Sequence, residues 1–184
     1  MIAKISAIFI DRDGTLNNEV GYLSQPDDVV IIPGAAEAIA RLNAEKILVF
    51  IVTNQSGIGR GRYGWTEFQA VMSRIYALLA VCGAHIDGVY ASPYHYEGLG
   101  DYRHQNHPDR KPNPGMLFRA AEEHKIDLSR SWMIGDKNID LEAGHRAGCK
   151  AALVRTGYGW QADGILADLV ADDLGTAVNQ ILIR

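Results

Sequence analysis

Residues 5–16 read ISAIFIDRDGTL. An apolar run from Ile5 to Ile10 is followed at once by two carboxylates, Asp11 and Asp13, and then by Gly14. A short continuous apolar run is typical of a strand that is buried on both faces of a parallel sheet. Because side chains alternate along an extended segment, the two carboxylates can face the same side, and glycine allows a sharp turn behind them. The stretch therefore predicts a buried strand that presents a carboxylate pair at its carboxyl end.

Similar apolar runs recur along the chain and alternate with amphipathic segments. Strands are predicted over residues 5–10, 47–53, 88–91, 132–134 and 151–154, and helices over residues 34–46, 66–82, 114–124, 139–147 and 173–183. The helix at 66–82 is expected to begin with a capping box formed by Thr66 and Gln69. This alternation predicts an α/β fold with a doubly wound, mainly parallel sheet covered on both faces. In such sheets the ligand site lies at the carboxyl ends of the strands.

Length and composition are those of an ordinary globular chain. The 184 residues fit one domain spanning 1–184, and 47% hydrophobic with 22% charged residues excludes a disordered chain. Lys and Arg number 18 against 22 Asp and Glu, and the net charge of −4 argues against nucleic acid or an anionic membrane as a partner. Cys82 and Cys149 have no disulfide or zinc-site spacing. Because no signal peptide or membrane-spanning run is recognisable, a cytoplasmic protein is expected.

Polar motifs stand at the ends of the predicted strands. DRDGTL at 11–16 follows the first strand, TNQSG at 53–57 follows the second, RKP at 110–112 precedes a helix, and GDKNID at 135–140 follows the fourth strand. We expect all four at one rim of the sheet. Phosphoryl transfer needs a nucleophile, a proton donor for the leaving oxygen and positive charge around the phosphoryl group, and Mg²⁺ prefers carboxylate oxygens. The motifs contain residue types suited to each of these tasks.

The four motifs, in this order, resemble those of the haloacid dehalogenase superfamily of phosphohydrolases. The resemblance implies that Asp11 is the nucleophile that forms an aspartyl-phosphate. It implies that Asp13 protonates the leaving group and later activates water, while Thr53 and Lys111 hold the phosphoryl group. The spacing between the motifs leaves no room for a large cap domain, so an open, Rossmann-like core of this superfamily is expected.

The same resemblance implies a magnesium site. Its ligands would be the carboxylates of Asp11 and Asp136 together with the backbone carbonyl of Asp13, and Asp140 would support the site. From the sequence alone, Asp140 can also be read as an acidic residue in the first turn of a helix, where it favours the helix dipole.

Within the superfamily, DRDGTLN, TNQSGIGRG and RKPNPGM resemble the histidinol-phosphatase-like subfamily, whose members act on heptose bisphosphate or on histidinol phosphate. A small phosphorylated sugar is therefore the expected substrate, and a monomer is the expected state. The residues expected to contact the substrate or its phosphate are Glu19, Val20, Gly21, Tyr22, Thr53, Asn54, Gln55, Ser56, Arg110, Lys111 and Lys137.

One departure from the subfamily concerns the loop before RKP. The subfamily usually carries a zinc loop of the form Cys-x-His and Cys-x-Cys, and the corresponding positions here are Ser92, Tyr94, His107 and Asp109. Because a structural zinc site normally uses cysteine thiolates, zinc is not expected. The alternative is a replacement zinc site whose ligands would come from His95, His104, His107 and Asp109.

Other functions fit the motifs less well. An EF-hand starting at Asp11 would need Gly and Glu where the chain has Leu16 and Tyr22. The GRGRYG stretch at 59–64 matches the dinucleotide-binding pattern, but it does not follow a predicted strand directly. An inactive phosphate-binding module would be expected to lack one of the four motifs. A phosphotransferase would be expected to have a larger cap that excludes water.

Overall fold

The computed structural model describes residues 5–183, and their strands form one sheet in which all neighbours are parallel. The strands are β1 Ala7–Ile10, β2 Leu48–Asn54, β3 Gly88–Ser92, β4 Trp132–Gly135, β5 Lys150–Val154 and β6 Leu169–Ala171. Their order across the sheet is β3-β2-β1-β4-β5-β6. The predicted doubly wound parallel sheet is confirmed.

Helices cover both faces of this sheet. They are α1 Ala35–Ala44, α2 Ser56–Gly59, α3 Trp65–Val81, α4 Gly115–His124, α5 Asn138–Ala147 and α6 Leu174–Leu182, with 3-10 turns at Pro26–Asp28, Gly100–Tyr102, Leu128–Arg130 and Gly159–Gln161. Ile8 and Ile10 of β1 pack in one apolar cluster with α1, α3 and α6. Ala7 and Phe9 pack in a second cluster with α4 and α5. Alternate residues of one strand thus serve two cores, which is why β1 is apolar throughout.

All five strands and all five helices predicted from the sequence are present, with ends shifted by at most two residues. The expected capping box is wrong: α3 begins one residue earlier, and the Gly64 N–H donates to Glu67 Oε2 at 2.8 Å. One strand and one short helix were not predicted. The three-residue β6 at the sheet edge and the four-residue α2 are too short to show a hydrophobic period.

The strand order places a crevice beside β1. From β1 the chain first moves outward to β2 and β3, and it later returns to β4 on the other side of β1. Ligands bind at such a reversal, outside the carboxyl ends of the strands. The Asp11 N–H donates to the carbonyl oxygen of Ile134 in β4 at 2.9 Å, so the residue that follows β1 lies at the reversal. Among residues 5–183, no helix has the length and apolar character needed to cross a membrane.

Candidate active site

Asp11 lies at the end of β1, buried against the ammonium of Lys111. Lys111 Nζ donates to Asp11 Oδ1 at 2.6 Å and to the carbonyl oxygen of Val52 at 2.8 Å. It also lies 2.7 Å from Asp140 Oδ1. Lys111 is only 3% exposed, so protein acceptors replace water around its charge. The ammonium therefore connects the ends of β1 and β2 with the first turn of α5.

The backbone of Lys111 is fixed by the side chain of Asn54. The Lys111 N–H donates to Asn54 Oδ1 at 3.0 Å, and Asn54 Nδ2 donates to the Lys111 carbonyl oxygen at 3.0 Å. The peptide bond from Lys111 to Pro112 is cis. Asn54 thus positions Lys111, and because it also lines the pocket its contact with substrate stays a prediction.

Three buried carboxylates meet where β1 and β4 end. Asp11, Asp136 and Asp140 each offer an oxygen within 4.8 Å of the others. Asp136 Oδ2 accepts from the Tyr158 N–H at 2.8 Å, whereas Asp136 Oδ1 is buried without a hydrogen-bond donor. Burial raises the pKa of Asp11 to about 7, against the opposing effect of Lys111, and raises the pKa of Asp136 to about 6. Lys137 Nζ lies 3.9 Å from Asp136 Oδ1, beyond hydrogen-bond distance, so a hard divalent cation would supply a direct partner for this oxygen and these residues fit Mg²⁺.

Gly14 brings the loop after β1 against Asp136. Its φ is +88°, in the left-handed region that favours glycine. A Cβ placed at Gly14 would come within 2.9 Å of the carboxyl carbon of Asp136 and closer still to Oδ2. The glycine in DRDGTL is therefore required both by the turn and by the close approach of β1 and β4.

Asp13 lies beside this cluster and keeps 15% of its side chain exposed. Its carboxylate accepts hydrogen bonds from Arg12 Nε and NH2, from Asn17 Nδ2 and from Gln55 Nε2 at 2.8–3.1 Å. Asp11 and Asp13 both line one pocket, as the alternation of side chains predicts. Arg12, between them, points into the protein.

The pocket at this rim has a volume of about 220 Å³. It contains every predicted substrate contact except Val20, and is lined by Asp11, Asp13, Glu19, Gly21, Tyr22, Thr53, Asn54, Gln55, Ser56, Gly57, Tyr63, Arg110, Lys111, Lys137, Ile139 and Asp140. Val20 is 55% exposed and lines a neighbouring cavity with Tyr158 and Trp160. Val20 therefore lies outside the pocket that holds the other predicted substrate contacts, and its contact with substrate stays a prediction.

Two further cationic side chains, Arg110 and Lys137, line the pocket. Lys137 Nζ lies 3.3 Å from Glu19 Oε2 and 4.6 Å from the centre of the Tyr158 ring. Arg110 NH1 donates to the carbonyl oxygen of Tyr94 at 2.9 Å. Both cations are held in place by neighbouring groups and border a pocket that also contains Lys111.

Comparison with known proteins decides the family. A family model described as HAD-hydrolase-like matches residues 109–177, which include Lys111, Asp136 and Asp140. A Mesorhizobium japonicum protein named D-glycero-beta-D-manno-heptose-1,7-bisphosphate 7-phosphatase is 45% identical over 160 residues, covering 87% of this chain and 70% of the relative. A Thermosynechococcus vestitus protein named D-glycero-D-manno-heptose-1,7-bisphosphate 7-phosphatase is 42% identical over 189 residues, covering 95% and 94%. The chain belongs to the haloacid dehalogenase superfamily.

A solved structure of this superfamily supports the same placement. The D,D-heptose 1.7-bisphosphate phosphatase of B. bronchiseptica, complexed with magnesium and phosphate, is similar with a TM-score of 0.87 and 33% identity. The similarity covers 97% of this chain and 99% of that one. This is the fold that the four motifs predict for a haloacid dehalogenase protein.

The loop that departs from the subfamily is held by aromatic rings in this haloacid dehalogenase protein. The Tyr94 ring stacks on the His107 ring with centroids 3.3 Å apart, and the His104 ring meets His107 edge-on at 4.8 Å. Nδ1 of His95 and Nδ1 of His107 each accept a backbone N–H at 3.1 Å, from Glu97 and from Asp109. Within residues 5–183, His95, His104, His107 and Asp109 are not gathered into a group of three ligand atoms of the kind that Asp11, Asp136 and Asp140 form.

GRGRYG at 59–64 has a structural explanation that needs no dinucleotide. It begins at the end of α2 and leads to the start of α3, rather than following a strand. At Gly59 a Cβ would collide with the carbonyl oxygen of Pro93, so this glycine permits close backbone packing.

The sequence reasoning missed Arg12, Asn17 and Tyr63, which contact Asp13 or Gln55, and the pocket-lining residues Gly57 and Ile139. Arg12 carried a usable signal, because a residue between two pocket-facing carboxylates must face the protein interior, where an arginine needs a buried partner. Asn17 and Tyr63 carried no such signal. Their positions depend on loops that fold back from Gly14 and from α2.

Proposed function

We propose that this chain is a Mg²⁺-dependent phosphohydrolase that removes the 7-phosphate of D-glycero-D-manno-heptose 1,7-bisphosphate. The observation that carries the proposal is Asp11 at the end of β1, 2.6 Å from the buried ammonium of Lys111 and beside Asp136. The choice of substrate is supported by the relatives that align over most of the chain, which are named as phosphatases of this heptose bisphosphate.

In the proposed reaction, a carboxylate oxygen of Asp11 attacks phosphorus and the bond to the sugar oxygen breaks. Asp13, which must carry a proton when the substrate is bound, gives that proton to the leaving oxygen, and Asp11 then carries the phosphoryl group. Asp13, now a carboxylate, takes a proton from water, whose oxygen attacks phosphorus and releases inorganic phosphate and free Asp11. Thr53 and Lys111 hold the phosphoryl oxygens, since both line the pocket.

The magnesium ligands proposed here are the carboxylates of Asp11 and Asp136 and the backbone carbonyl of Asp13. When bound, the cation would neutralise negative charge on the phosphoryl oxygens. Asp140 supports this site indirectly. Its Oδ2 accepts from the Lys137 N–H at 3.0 Å and its Oδ1 faces Lys111, so both oxygens have protein partners.

The preference for a bisphosphate is supported by the cations. Lys111 serves the phosphoryl group beside Asp11, which leaves Arg110 and Lys137, both lining the same pocket, to bind a second phosphate. A planar guanidinium can bind phosphate oxygens with two parallel hydrogen bonds. We also propose that the chain acts as a single-domain monomer in the cytoplasm; the absence of disulfide spacing between Cys82 and Cys149 supports the reducing compartment.

The proposal is tested with purified protein, Mg²⁺ and a panel of heptose 1,7-bisphosphates, histidinol phosphate and common sugar phosphates. Asp11→Asn should abolish turnover, because an amide is a poor nucleophile and a poor Mg²⁺ ligand. The matched control is Asp28→Asn, an exposed aspartate in the 3-10 turn Pro26–Asp28. If the activity of Asp11→Asn stays within about tenfold of wild type at saturating Mg²⁺, Asp11 is not the nucleophile. A higher kcat/KM for histidinol phosphate than for the heptose 1,7-bisphosphates would refute the proposed substrate.

A further inference from the structure

Arg12 is a buried charge that the proposed reaction does not use. Its side chain is 1% exposed, and its guanidinium lies 5.5 Å from the centre of the Phe68 ring on α3. A buried charge is retained only where close partners compensate for lost water. The partners of Arg12 therefore indicate what it does.

The first partner is Asp13. Arg12 Nε and NH2 donate to Asp13 Oδ1 at 3.0 and 2.9 Å, and NH2 also donates to Oδ2 at 2.8 Å. Asn17 Nδ2 adds a bond to Oδ1 at 3.1 Å. A planar guanidinium that donates to both carboxylate oxygens fixes the plane of the carboxylate. One hydrogen bond alone would leave the carboxylate free to rotate.

The second partner is the side-chain amide of Gln55. Its Oε1 faces Arg12 NH2 at 3.1 Å and the hydroxyl of Tyr63 at 2.5 Å. Arginine can only donate hydrogen bonds, so the amide oxygen, and not the amide nitrogen, must face it. Arg12 therefore decides which way the Gln55 amide is turned.

The orientation of Gln55 sets the direction of the next two hydrogen bonds. Gln55 Nε2 donates to Asp13 Oδ2 at 2.9 Å and to Thr53 Oγ1 at 2.6 Å, which uses both of its hydrogens. Because the Thr53 oxygen accepts this bond, the Thr53 hydroxyl keeps its proton for another acceptor. Phosphoryl oxygens are acceptors, and Thr53 lines the pocket.

We propose that Arg12 is a positioning residue that, directly and through Gln55, orients Asp13 toward the leaving-group oxygen and directs the Thr53 hydroxyl to the phosphoryl group. The inference rests on the proposed function, in which Asp13 and Thr53 contact the substrate. The competing role is structural: Arg12 would only join the end of β1 to α3 through Phe68.

The two roles differ in their dependence on the leaving group. A sugar alkoxide needs a proton from Asp13, whereas the acidic phenol of p-nitrophenyl phosphate leaves without one. The value of kcat/KM reports steps up to departure of the leaving group, so the later use of Asp13 as a base does not enter it. The ratio of kcat/KM for the sugar bisphosphate to that for p-nitrophenyl phosphate is also independent of the fraction of folded enzyme.

The test measures this ratio in Arg12→Met, which keeps the length of the stem, and in Gln55→Glu, which keeps the shape of the side chain but cannot donate to Asp13 or Thr53. The control is Leu79→Ala, a core substitution on α3 remote from the hydrogen-bond chain. We expect the ratio to fall by about tenfold or more in both variants, since general acid catalysis contributes about 10²–10⁴-fold. It should not change in the control.

A ratio that falls by less than about tenfold in Arg12→Met overturns the inference, even if both activities drop, because a structural defect lowers both substrates together. If Arg12→Met does not fold, Gln55→Glu decides by the same criterion. Wild-type protein that hydrolyses neither substrate refutes the proposed function instead, so the two failures are distinguishable.

Discussion

Replacing Lys111 by methionine should destabilise the protein strongly, because the lysine is the cation at the centre of a buried carboxylate cluster. Lys111→Met keeps most of the stem and removes only the ammonium. The ammonium donates to Asp11 Oδ1 and to the Val52 carbonyl oxygen and forms an ion pair with Asp140 Oδ1, all within 2.8 Å. Each would lose a partner in a region that water does not reach, since the lysine is 3% exposed.

The magnitude follows from the burial. Removing one partner of a buried ion pair costs about 3–5 kcal/mol. Burial already raises the pKa of Asp11 to about 7, so this carboxyl can take up a proton when the lysine is gone, and that limits the loss. We therefore expect about 3 kcal/mol, the lower end of that range, out of a total stability of about 5–15 kcal/mol.

Urea unfolding at pH 8 in the presence of a chelator measures this loss. With a slope of about 2 kcal/mol per molar urea, the midpoint should fall by about 1.5 M. The matched control is Lys150→Met: Lys150 is exposed and contacts the Trp132 ring at 5.4 Å, so its loss should cost at most about 1 kcal/mol. If Lys111→Met costs no more than Lys150→Met, the ammonium does not hold the cluster together and the reasoning fails.

Three further predictions concern ligands. The 1,7-bisphosphate should exceed the corresponding 7-phosphate in kcat/KM by about ten- to a hundredfold, because a charge-assisted hydrogen bond to the second phosphate contributes about 1.5–3 kcal/mol; equal values would contradict a second phosphate site. Mg²⁺ at about 100 times its Kd should stabilise wild type by about 2.7 kcal/mol and Asp136→Asn by much less, as measured by thermal unfolding; equal stabilisation would remove Asp136 from the site. Protein purified without added metal should contain little zinc by elemental analysis, because the stacked Tyr94 and His107 rings hold the loop; near-stoichiometric zinc that is lost on His107→Ala would show the opposite.

The fold and the pocket could be predicted from the sequence because both follow from strands. A buried strand is visible as an apolar run, and parallel strands bring their carboxyl ends to one rim, so Asp11, Thr53 and Asp136 had to meet. Capping and hydrogen-bond direction could not be predicted in the same way. Glu67 rather than Gln69 caps α3 because the N-cap is Gly64, two residues before the predicted Thr66.

Asp140 shows why a residue's role can exceed what its position in the sequence suggests. As an acidic residue in the first turn of α5, it accepts the Lys137 N–H, which the local sequence predicts. Its other oxygen faces Lys111, which belongs to a different segment of the chain. The two roles are compatible because a carboxylate has two oxygens, and only the fold shows that both are used.

The division between the reaction centre and the loop before RKP explains why the loop can depart from its subfamily. Lys111 is positioned by Asn54 at the end of β2, and its ammonium is held by groups at the ends of β1, β2 and α5. None of these contacts involves the residues that replace the zinc ligands. Arg110, in contrast, is tied to the carbonyl oxygen of Tyr94 in that loop. Changes in the loop should therefore alter how Arg110 binds a second phosphate, while phosphoryl transfer to Asp11 stays intact.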